Sequence, residues 1–326
     1  MSVLVAKATE VDDNENALFL KELKEILSSF HLHEIDAIPL KGADLAFFVY
    51  SDSALRAMTD LDILIHKDDL PRIEEALVSL GYLMHPHYRQ VLDLPVSPYL
   101  NTIVAKKLTF PHISLHFHWH ILNHSFYPGY GYISDFAIQK IWQDAQDDML
   151  DEVKVIRMAP HHMLLHLSLH HLRHYYAQPA LITDIAAVLT RYENEIDWKA
   201  VFRDAERYNL CKPLYYALYL VKNRLGILLP PVAEGFVQQM EITSKEQQFL
   251  DSVMNGKPSE KLSFYAFLSM NKGMWNKMRF LLRTMYAPRR FRAQLKDLHG
   301  FDSGLQYNLR RIRRIIAFLF HSLFKR

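Results

Sequence analysis

The sequence predicts an α+β fold, in which a small mixed β-sheet with flanking helices is followed by an α-helical region. Strand-like apolar runs alternate with helical patterns at the beginning of the chain, whereas the later part shows helical periodicity almost throughout. We therefore expect an α/β head over residues 1–156, an α-helical domain over residues 157–270 and a basic amphipathic segment over residues 271–326.

The head begins with a helix, because apolar residues recur there at helical spacing. In chain order, the elements expected in the head are helix 15–30, strand 37–42, helix 43–50, strand 61–66, helix 68–82 and a hairpin of strands 104–110 and 113–121. Pro71 and Gly81 mark the two ends of the fifth element, and Pro111 separates the strands of the hairpin.

The second part of the chain predicts a series of helices. Asp197 is a good N-cap for the third of them. The expected helices span residues 160–175, 180–193, 198–208, 211–226 and 232–254, with a loop over residues 254–261.

Composition excludes several classes of protein. The single cysteine, Cys211, excludes a disulfide framework and every zinc site built from several cysteines. The first residues lack the pattern of a secretory signal, and no apolar run approaches the roughly 20 residues that span a bilayer. We therefore expect a cytoplasmic protein.

Charge is unevenly distributed along the chain. The formal net charge is only +2, yet residues 277–326 carry thirteen Lys and Arg against two acidic residues, so the rest of the chain is acidic. Residues 309–326 form a basic amphipathic pattern. This segment can dock on the acidic body or on a partner, or it can contact the inner face of the membrane peripherally. Nucleic acid is less favoured as a partner, because no aromatic–basic stacking pattern is present.

Residues 40–65 carry the pattern that points to chemistry. Asp60 and Asp62 lie two apart on an expected strand, so their carboxylates face one side and offer the oxygen ligands that Mg²⁺ prefers. Gly42 lets the backbone approach a ligand closely, and Lys41 and Arg56 are cations within plausible reach of a triphosphate. This combination is typical of phosphoryl or nucleotidyl transfer.

The same pattern resembles a family of uncharacterised nucleotidyltransferases within the superfamily that shares the polymerase-beta-like core. The resemblance covers roughly residues 15–230. Its signature residues here are Leu40, Lys41, Gly42, Tyr50, Asp52, Leu55, Arg56, Asp60, Asp62 and Leu64, with His118-Trp119, Leu167, Leu169, His170, His174 and Asp184 further along.

The resemblance implies a metal-dependent transferase that moves a nucleoside monophosphate from a nucleoside triphosphate to an acceptor and releases pyrophosphate. Asp60 and Asp62 would hold Mg²⁺ or Mn²⁺, and the nucleotide would contact Lys41, Gly42, Arg56 and Thr59. The sequence leaves open whether the acceptor is a small molecule, a peptide or a protein.

One position departs from the family pattern. A third acidic residue is expected two residues before the His-Trp pair, where this sequence has His116. Three explanations remain open: His116 is itself a catalytic residue and ligates a softer metal such as Mn²⁺, another acid such as Asp93 takes this role, or the protein binds a nucleotide or a partner without catalysis.

The 18 histidines include two ordered rows. One row follows an expected strand and the other follows an expected helix at every fourth residue. The rows are His112, His116, His118 and His120, and His162, His166, His170 and His174. One interpretation is a zinc or manganese site. The other is that the histidines pack between the two parts of the chain. In the second interpretation, the residues that could orient the metal ligands are His118, His170, His174 and Asp184.

Overall fold

The computed structural model describes residues 13–85, 89, 102–110, 112–121, 138–271, 273–285 and 313. Within these residues the protein has a mixed α+β architecture, with a five-stranded mixed sheet followed by a helical region. The predicted fold class is confirmed.

The five-stranded sheet places the expected hairpin beside the Asp-x-Asp strand. Its strands are β1 (Ala37–Leu40), β2 (Leu61–Ile65), β3 (Tyr82–Met84), β4 (Thr102–Lys107) and β5 (Ser114–His118). Their order is β1-β2-β5-β4-β3, in which β2 and β5 run parallel and the other neighbours are antiparallel. Strands β1 and β2 are buried at every residue, which explains their continuous apolar character.

Three helices of the head cover or border the sheet. They are α1 (Asp13–Leu32), α2 (Gly42–Asp44), which continues as a π-helix over Leu45–Val49, and α3 (Leu70–Val78). Short 3₁₀ turns at Ser53–Leu55 and Lys67–Asp69 precede β2 and α3. The helix expected over residues 68–82 is confirmed with shorter bounds: Pro71 lies in the first turn of α3, and the helix ends before Gly81. The φ of Gly81 is 78°, in the left-handed region.

A second hairpin was not predicted. After α4 (Ile138–Gln143), strands β6 (Gln146–Leu150) and β7 (Val153–Arg157) pair antiparallel as a separate two-stranded sheet. The connecting residues are acidic and contain no glycine or asparagine, so the usual hairpin signal is missing. Asp151 nevertheless adopts a φ of 52° there.

The helical region follows the predicted order with one correction. Its helices are α5 (Pro160–Arg173), α6 (Ala180–Arg191), α7 (Trp198–Arg207), α8 (Cys211–Leu225), α9 (Pro231–Gln239), α10 (Ser244–Met254), α11 (Glu260–Met270) and α12 (Met274–Met285). The single helix expected over residues 232–254 is wrong. Thr243 starts a new helix there with a capping box, in which its hydroxyl accepts from the Glu246 N–H and the Glu246 carboxylate accepts from the Thr243 N–H.

The apolar core connects the sheet to the helices. Ile38, Leu40, Leu45 and Leu64 from the head belong to the same buried cluster as the core residues of α5, α6 and α8. A second cluster lies between α1, α3 and the other face of the sheet. The division into a head and a helical domain at residue 157 stays a prediction.

Among the described residues, no helix is both long and apolar enough to cross a membrane. Apart from Arg313, residues 309–326 lie outside the described part of the chain, and so does Asp93. The membrane contact of the basic segment and the cytoplasmic location stay predictions.

Candidate active site

Two adjacent parallel strands bring the candidate site together. In the register of β2 and β5, Asp62 pairs with His116 and Leu64 pairs with His118. Asp60 directly precedes β2, and Lys41 directly follows β1. The strands therefore place two carboxylates, one ammonium group and two imidazoles at one edge of the sheet.

Asp62 lies at the centre of this group. Its Oδ1 accepts a hydrogen bond from Lys41 Nζ at 2.8 Å and one from His118 Nε2 at 2.6 Å. Burial acts to raise the pKa of Asp62, but the Lys41 charge and the His118 hydrogen bond outweigh burial and hold the pKa well below its usual range. Asp62 is therefore ionised at neutral pH.

Asp60 and His116 form the more open side of the site. His116 Nδ1 lies 3.2 Å from Asp60 Oδ2 and 4.0 Å from Asp62 Oδ1. About one third of each of these two side chains, 34% for His116 and 33% for Asp60, is exposed. Burial and the neighbouring Asp62 charge raise the pKa of Asp60. Thr59 donates a long hydrogen bond of 3.4 Å to Asp60 Oδ1.

Asp60, Asp62 and His116 can hold a metal ion together. One carboxylate oxygen from each aspartate and one ring nitrogen of His116 all lie within 4.8 Å of one another. The donor set of two carboxylates and one imidazole suits a divalent ion. His116 thus takes the place where the resemblance expects a third acid.

The turn between β1 and α2 lies beside the carboxylates. Lys41 adopts φ 52°, which is uncommon for a residue with a side chain, and its carbonyl accepts from the Leu45 N–H at 2.8 Å. At Gly42 an added Cβ would meet Met58 Cγ at 3.0 Å. Gly42 therefore allows the turn to pack closely against the segment that leads into β2.

Arg56 lies in the same neighbourhood, but its guanidinium group binds Asp184 of α6. Arg56 Nε and Nη2 donate to the two carboxylate oxygens at 2.7 and 3.0 Å. Tyr50 donates to Asp184 Oδ1 at 2.9 Å, and His171 Nε2 lies 3.5 Å from Asp184 Oδ2. Asp184 thus ties two residues of the family signature to the helical region.

The second row of histidines lies along α5. His166 is buried, and the ring centroids of His170 and His174 are 4.6 Å apart. Burial and the nearby Lys41 charge lower the pKa of His166 to about 3, and burial followed by the charges of Arg173 and Lys41 lowers that of His174 to about 4. These imidazoles are neutral at neutral pH.

Among the described residues, neither row as a whole forms a group that can hold a metal, and metal binding by the rows stays a prediction. His118 contacts Asp62 directly, whereas His170 and His174 make ring contacts with each other. In the described part of the chain, each group that can hold a metal takes one histidine from a row: His116 with Asp60 and Asp62, and His162 with Asp144 and His161, which belongs to neither row.

Two contributions to the site were not visible in the sequence. One is His171, which lies next to His170 but turns toward Asp184. The other is the buried pair of Arg157 and Asp44, in which Arg157 Nε donates to Asp44 Oδ1 at 2.8 Å. This pair fixes α2 against β7, and only the tertiary packing of the unpredicted hairpin brings its members together.

The sheet and the Lys-Gly turn beside an Asp-x-Asp strand define a nucleotidyltransferase-like protein. The sequence model of the family described as "Uncharacterised nucleotidyltransferase" matches residues 4–226, so the chain belongs to this family. The expected family is confirmed.

Comparison with solved structures finds a similar protein. The crystal structure of an antigenic nucleotidyltransferase-like protein from Paracoccidioides brasiliensis has a TM-score of 0.35 and 13% sequence identity to this chain. The similarity covers 60% of this chain and 91% of that one. No curated protein matches the sequence.

Proposed function

We propose that this protein is a metal-dependent nucleotidyltransferase that transfers a nucleoside monophosphate from a nucleoside triphosphate to an acceptor. The observation that carries the proposal is the convergence of Asp60, Asp62 and His116 within 4.8 Å, beside the Lys41 ammonium group. Family membership supports nucleotidyl transfer as the class of reaction.

The reaction is a substitution at the α-phosphorus. An acceptor oxygen or nitrogen forms a new bond to the α-phosphorus, and the bond to the oxygen that bridges to the β-phosphorus breaks. Pyrophosphate leaves with that electron pair, and the acceptor gives its proton to a base or to solvent. A divalent ion bound at the site would neutralise charge on the phosphate oxygens.

The residues around the carboxylates have different roles in this proposal. His118 donates to Asp62 and fixes its orientation, so it is a positioning residue. Lys41 pairs with Asp62 in this structure, and its flexible chain can turn the ammonium group toward phosphate oxygens. Gly42 and Thr59 lie next to these groups and would contact the nucleotide.

We propose an indirect role for Arg56. Because both carboxylate oxygens of Asp184 accept from its guanidinium group, Arg56 orders the segment before β2 and leaves Nη1 directed at the Ala57 carbonyl. Contact between Arg56 and a triphosphate would require a change in this pair. The direct nucleotide-binding role of Arg56 remains a prediction.

An imidazole in the donor set favours Mn²⁺ over Mg²⁺. Mg²⁺ prefers oxygen ligands in near-octahedral geometry, whereas affinity for nitrogen ligands is higher among the transition metals. His116 is therefore proposed both as a metal ligand and as the reason for this preference.

Pyrophosphate release with each of four nucleoside triphosphates and a broad acceptor panel tests the proposal. It is measured with Mn²⁺ and with Mg²⁺ for the wild type and for Asp60→Asn and Asp62→Asn. We expect Mn²⁺-dependent release that each variant lowers by about 10³-fold or more, because the charge that holds the ion is lost. Asp36→Asn changes an exposed aspartate before β1 and is the matched control.

Metal-dependent nucleotide binding, measured by calorimetry and compared with pyrophosphate release, separates this proposal from the alternative of a non-catalytic nucleotide-binding protein. The replacement of the expected third acid by His116 favours that alternative. Binding that requires Asp60 and Asp62 without turnover of any acceptor would support it. If both variants bind nucleotide and metal like the wild type, the site assignment is wrong.

A further inference from the structure

A second group of metal-ligating side chains lies where the head meets the helical region. Asp144 follows α4, and His161 and His162 occupy the first turn of α5. We propose that these three residues form a binding site for Zn²⁺ or a chemically similar divalent metal ion, separate from the Asp60–Asp62 site.

The geometry of the three side chains carries the proposal. His162 Nε2 lies 2.9 Å from Asp144 Oδ2, and His161 Nε2 lies 3.5 Å from the same oxygen. The two imidazole ring centroids are 4.1 Å apart. One carboxylate oxygen and two ring nitrogens therefore converge within 4.8 Å of one another.

An ordinary hydrogen bond explains only part of this arrangement. His162 and Asp144 are within hydrogen-bond distance, which accounts for the buried His162. His161 Nε2 is also buried and lies 3.5 Å from Asp144 Oδ2, yet it makes no hydrogen bond with any residue that the structure describes. A bound ion would use the lone pair of this second nitrogen.

Lys140 orients the carboxylate of this group. Its Nζ donates to Asp144 Oδ1 at 2.5 Å, which leaves Oδ2 facing His161 and His162. The second carboxylate oxygen is therefore available to an ion that the two imidazoles would also bind.

The ligand chemistry selects the class of ion. Two imidazoles and one carboxylate form a donor set that zinc sites use, and the two nitrogens disfavour Mg²⁺ and Ca²⁺. His161 and Asp144 are 13% and 22% exposed, so an ion can enter and a water can complete its coordination. Bound metal would connect the segment after α4 to the start of α5 and stabilise that junction.

The test uses the full chain without a histidine tag and with the first site disabled by Asp60→Asn and Asp62→Asn. In this background we expect calorimetry to detect about one Zn²⁺ per chain, and Co²⁺ to give the intense visible absorption of a four-coordinate site. Adding His161→Gln should weaken Zn²⁺ binding by about 100-fold or more and remove the Co²⁺ bands. His31→Gln, an exposed histidine on α1, is the matched control.

Asp144→Asn provides a second variant if His161→Gln does not fold, as judged by circular dichroism in the presence of EDTA. It should weaken Zn²⁺ binding in the same way. The proposal is overturned if the background protein binds no Zn²⁺, or if a folded variant at His161 or Asp144 binds Zn²⁺ like the His31→Gln control. Failure of the transferase assay leaves this test unaffected, because no step of it depends on turnover.

Discussion

The two aspartates of the Asp-x-Asp strand differ in their electrostatic state although they are two residues apart. Asp62 is nearly buried and is kept ionised by Lys41 and His118, whereas the pKa of Asp60 is raised by burial and by the Asp62 charge. Lys41 therefore stabilises the charge of Asp62, and at the proposed site a metal would have to compete with this ammonium group. Such competition would link metal binding to movement of Lys41.

Replacement of His116 by aspartate should change the metal preference. The variant would offer a third carboxylate oxygen in place of an imidazole nitrogen, so we expect the ratio of Mn²⁺ to Mg²⁺ affinity to fall by about tenfold. Electron paramagnetic resonance of free Mn²⁺ during Mg²⁺ competition measures this ratio. His112→Asp, an exposed histidine of the same row, is the control, and an unchanged ratio in His116→Asp would exclude His116 as a ligand.

The buried pair of Arg56 and Asp184 should contribute strongly to stability. Asp184→Asn leaves the guanidinium group buried with one carboxylate fewer, and we expect a loss of about 3–5 kcal/mol in the free energy of unfolding. Asp147 and Lys154 form an exposed pair at 2.9 Å, so Asp147→Asn should cost less than about 1 kcal/mol.

Urea unfolding of Asp184→Asn, Asp147→Asn, Arg56→Met and the double variant Arg56→Met/Asp184→Asn measures these effects. The double variant should lose less stability than the sum of its single variants, because neither charge then stays buried alone. Equal losses in Asp184→Asn and Asp147→Asn would contradict the assignment of a buried, coupled pair.

At the scale of elements, the turn between β1 and α2 depends on close packing. Gly42→Ala would bring Cβ to 3.0 Å from Met58 Cγ, so we expect a loss of about 1–3 kcal/mol from overpacking. This cost should be smaller in a Met58→Ala background, where the crowded atoms are missing. Urea unfolding of the four proteins of this cycle gives the coupling, and the absence of coupling would show that the strain lies elsewhere.

The elements that the sequence predicted well are those with local signals. Helix α3 has a proline at its start and a glycine after its end, and β2 has a continuous apolar run. Hairpin β6–β7 has no such turn signal. Between α9 and α10 the apolar residues continue at helical spacing, and the Thr243 capping box is the local feature that starts a new helix there. These two were missed because apolar periodicity alone does not show where a chain turns.

At the scale of the whole molecule, the site depends on contacts between distant segments. The spacing of Asp60 and Asp62 predicts a common face, and the family resemblance points to His116 and His118. The sequence does not predict that His118 donates to Asp62, that Arg56 pairs with Asp184, or that His161 and His162 converge on Asp144. Each of these contacts requires the order of the strands and the packing of α4, α5 and α6.

The buried histidine His166 should make the whole protein sensitive to acid. It is 2% exposed, neither ring nitrogen has a hydrogen-bond partner among the described residues, and its pKa is lowered from 6.5 to about 3. Below pH 6.5 the unfolded chain binds a proton that the folded chain excludes. The destabilisation that His166 causes is therefore absent above pH 6.5. Between pH 6.5 and 3, His166 lowers the free energy of unfolding by about 1.4 kcal/mol for each pH unit of acidification.

His166→Leu should remove this contribution without a loss of stability at pH 7.5, because an apolar side chain replaces a buried polar group that lacks protein partners. Urea unfolding between pH 7.5 and 4.5 measures the free energy of unfolding against pH for the wild type, His166→Leu and the exposed control His31→Leu. We expect the slope below pH 6 to be about 1.4 kcal/mol per pH unit shallower only in His166→Leu. If all three slopes agree, His166 accepts a proton in the folded protein, and the inference that burial and the Lys41 charge keep it neutral is wrong.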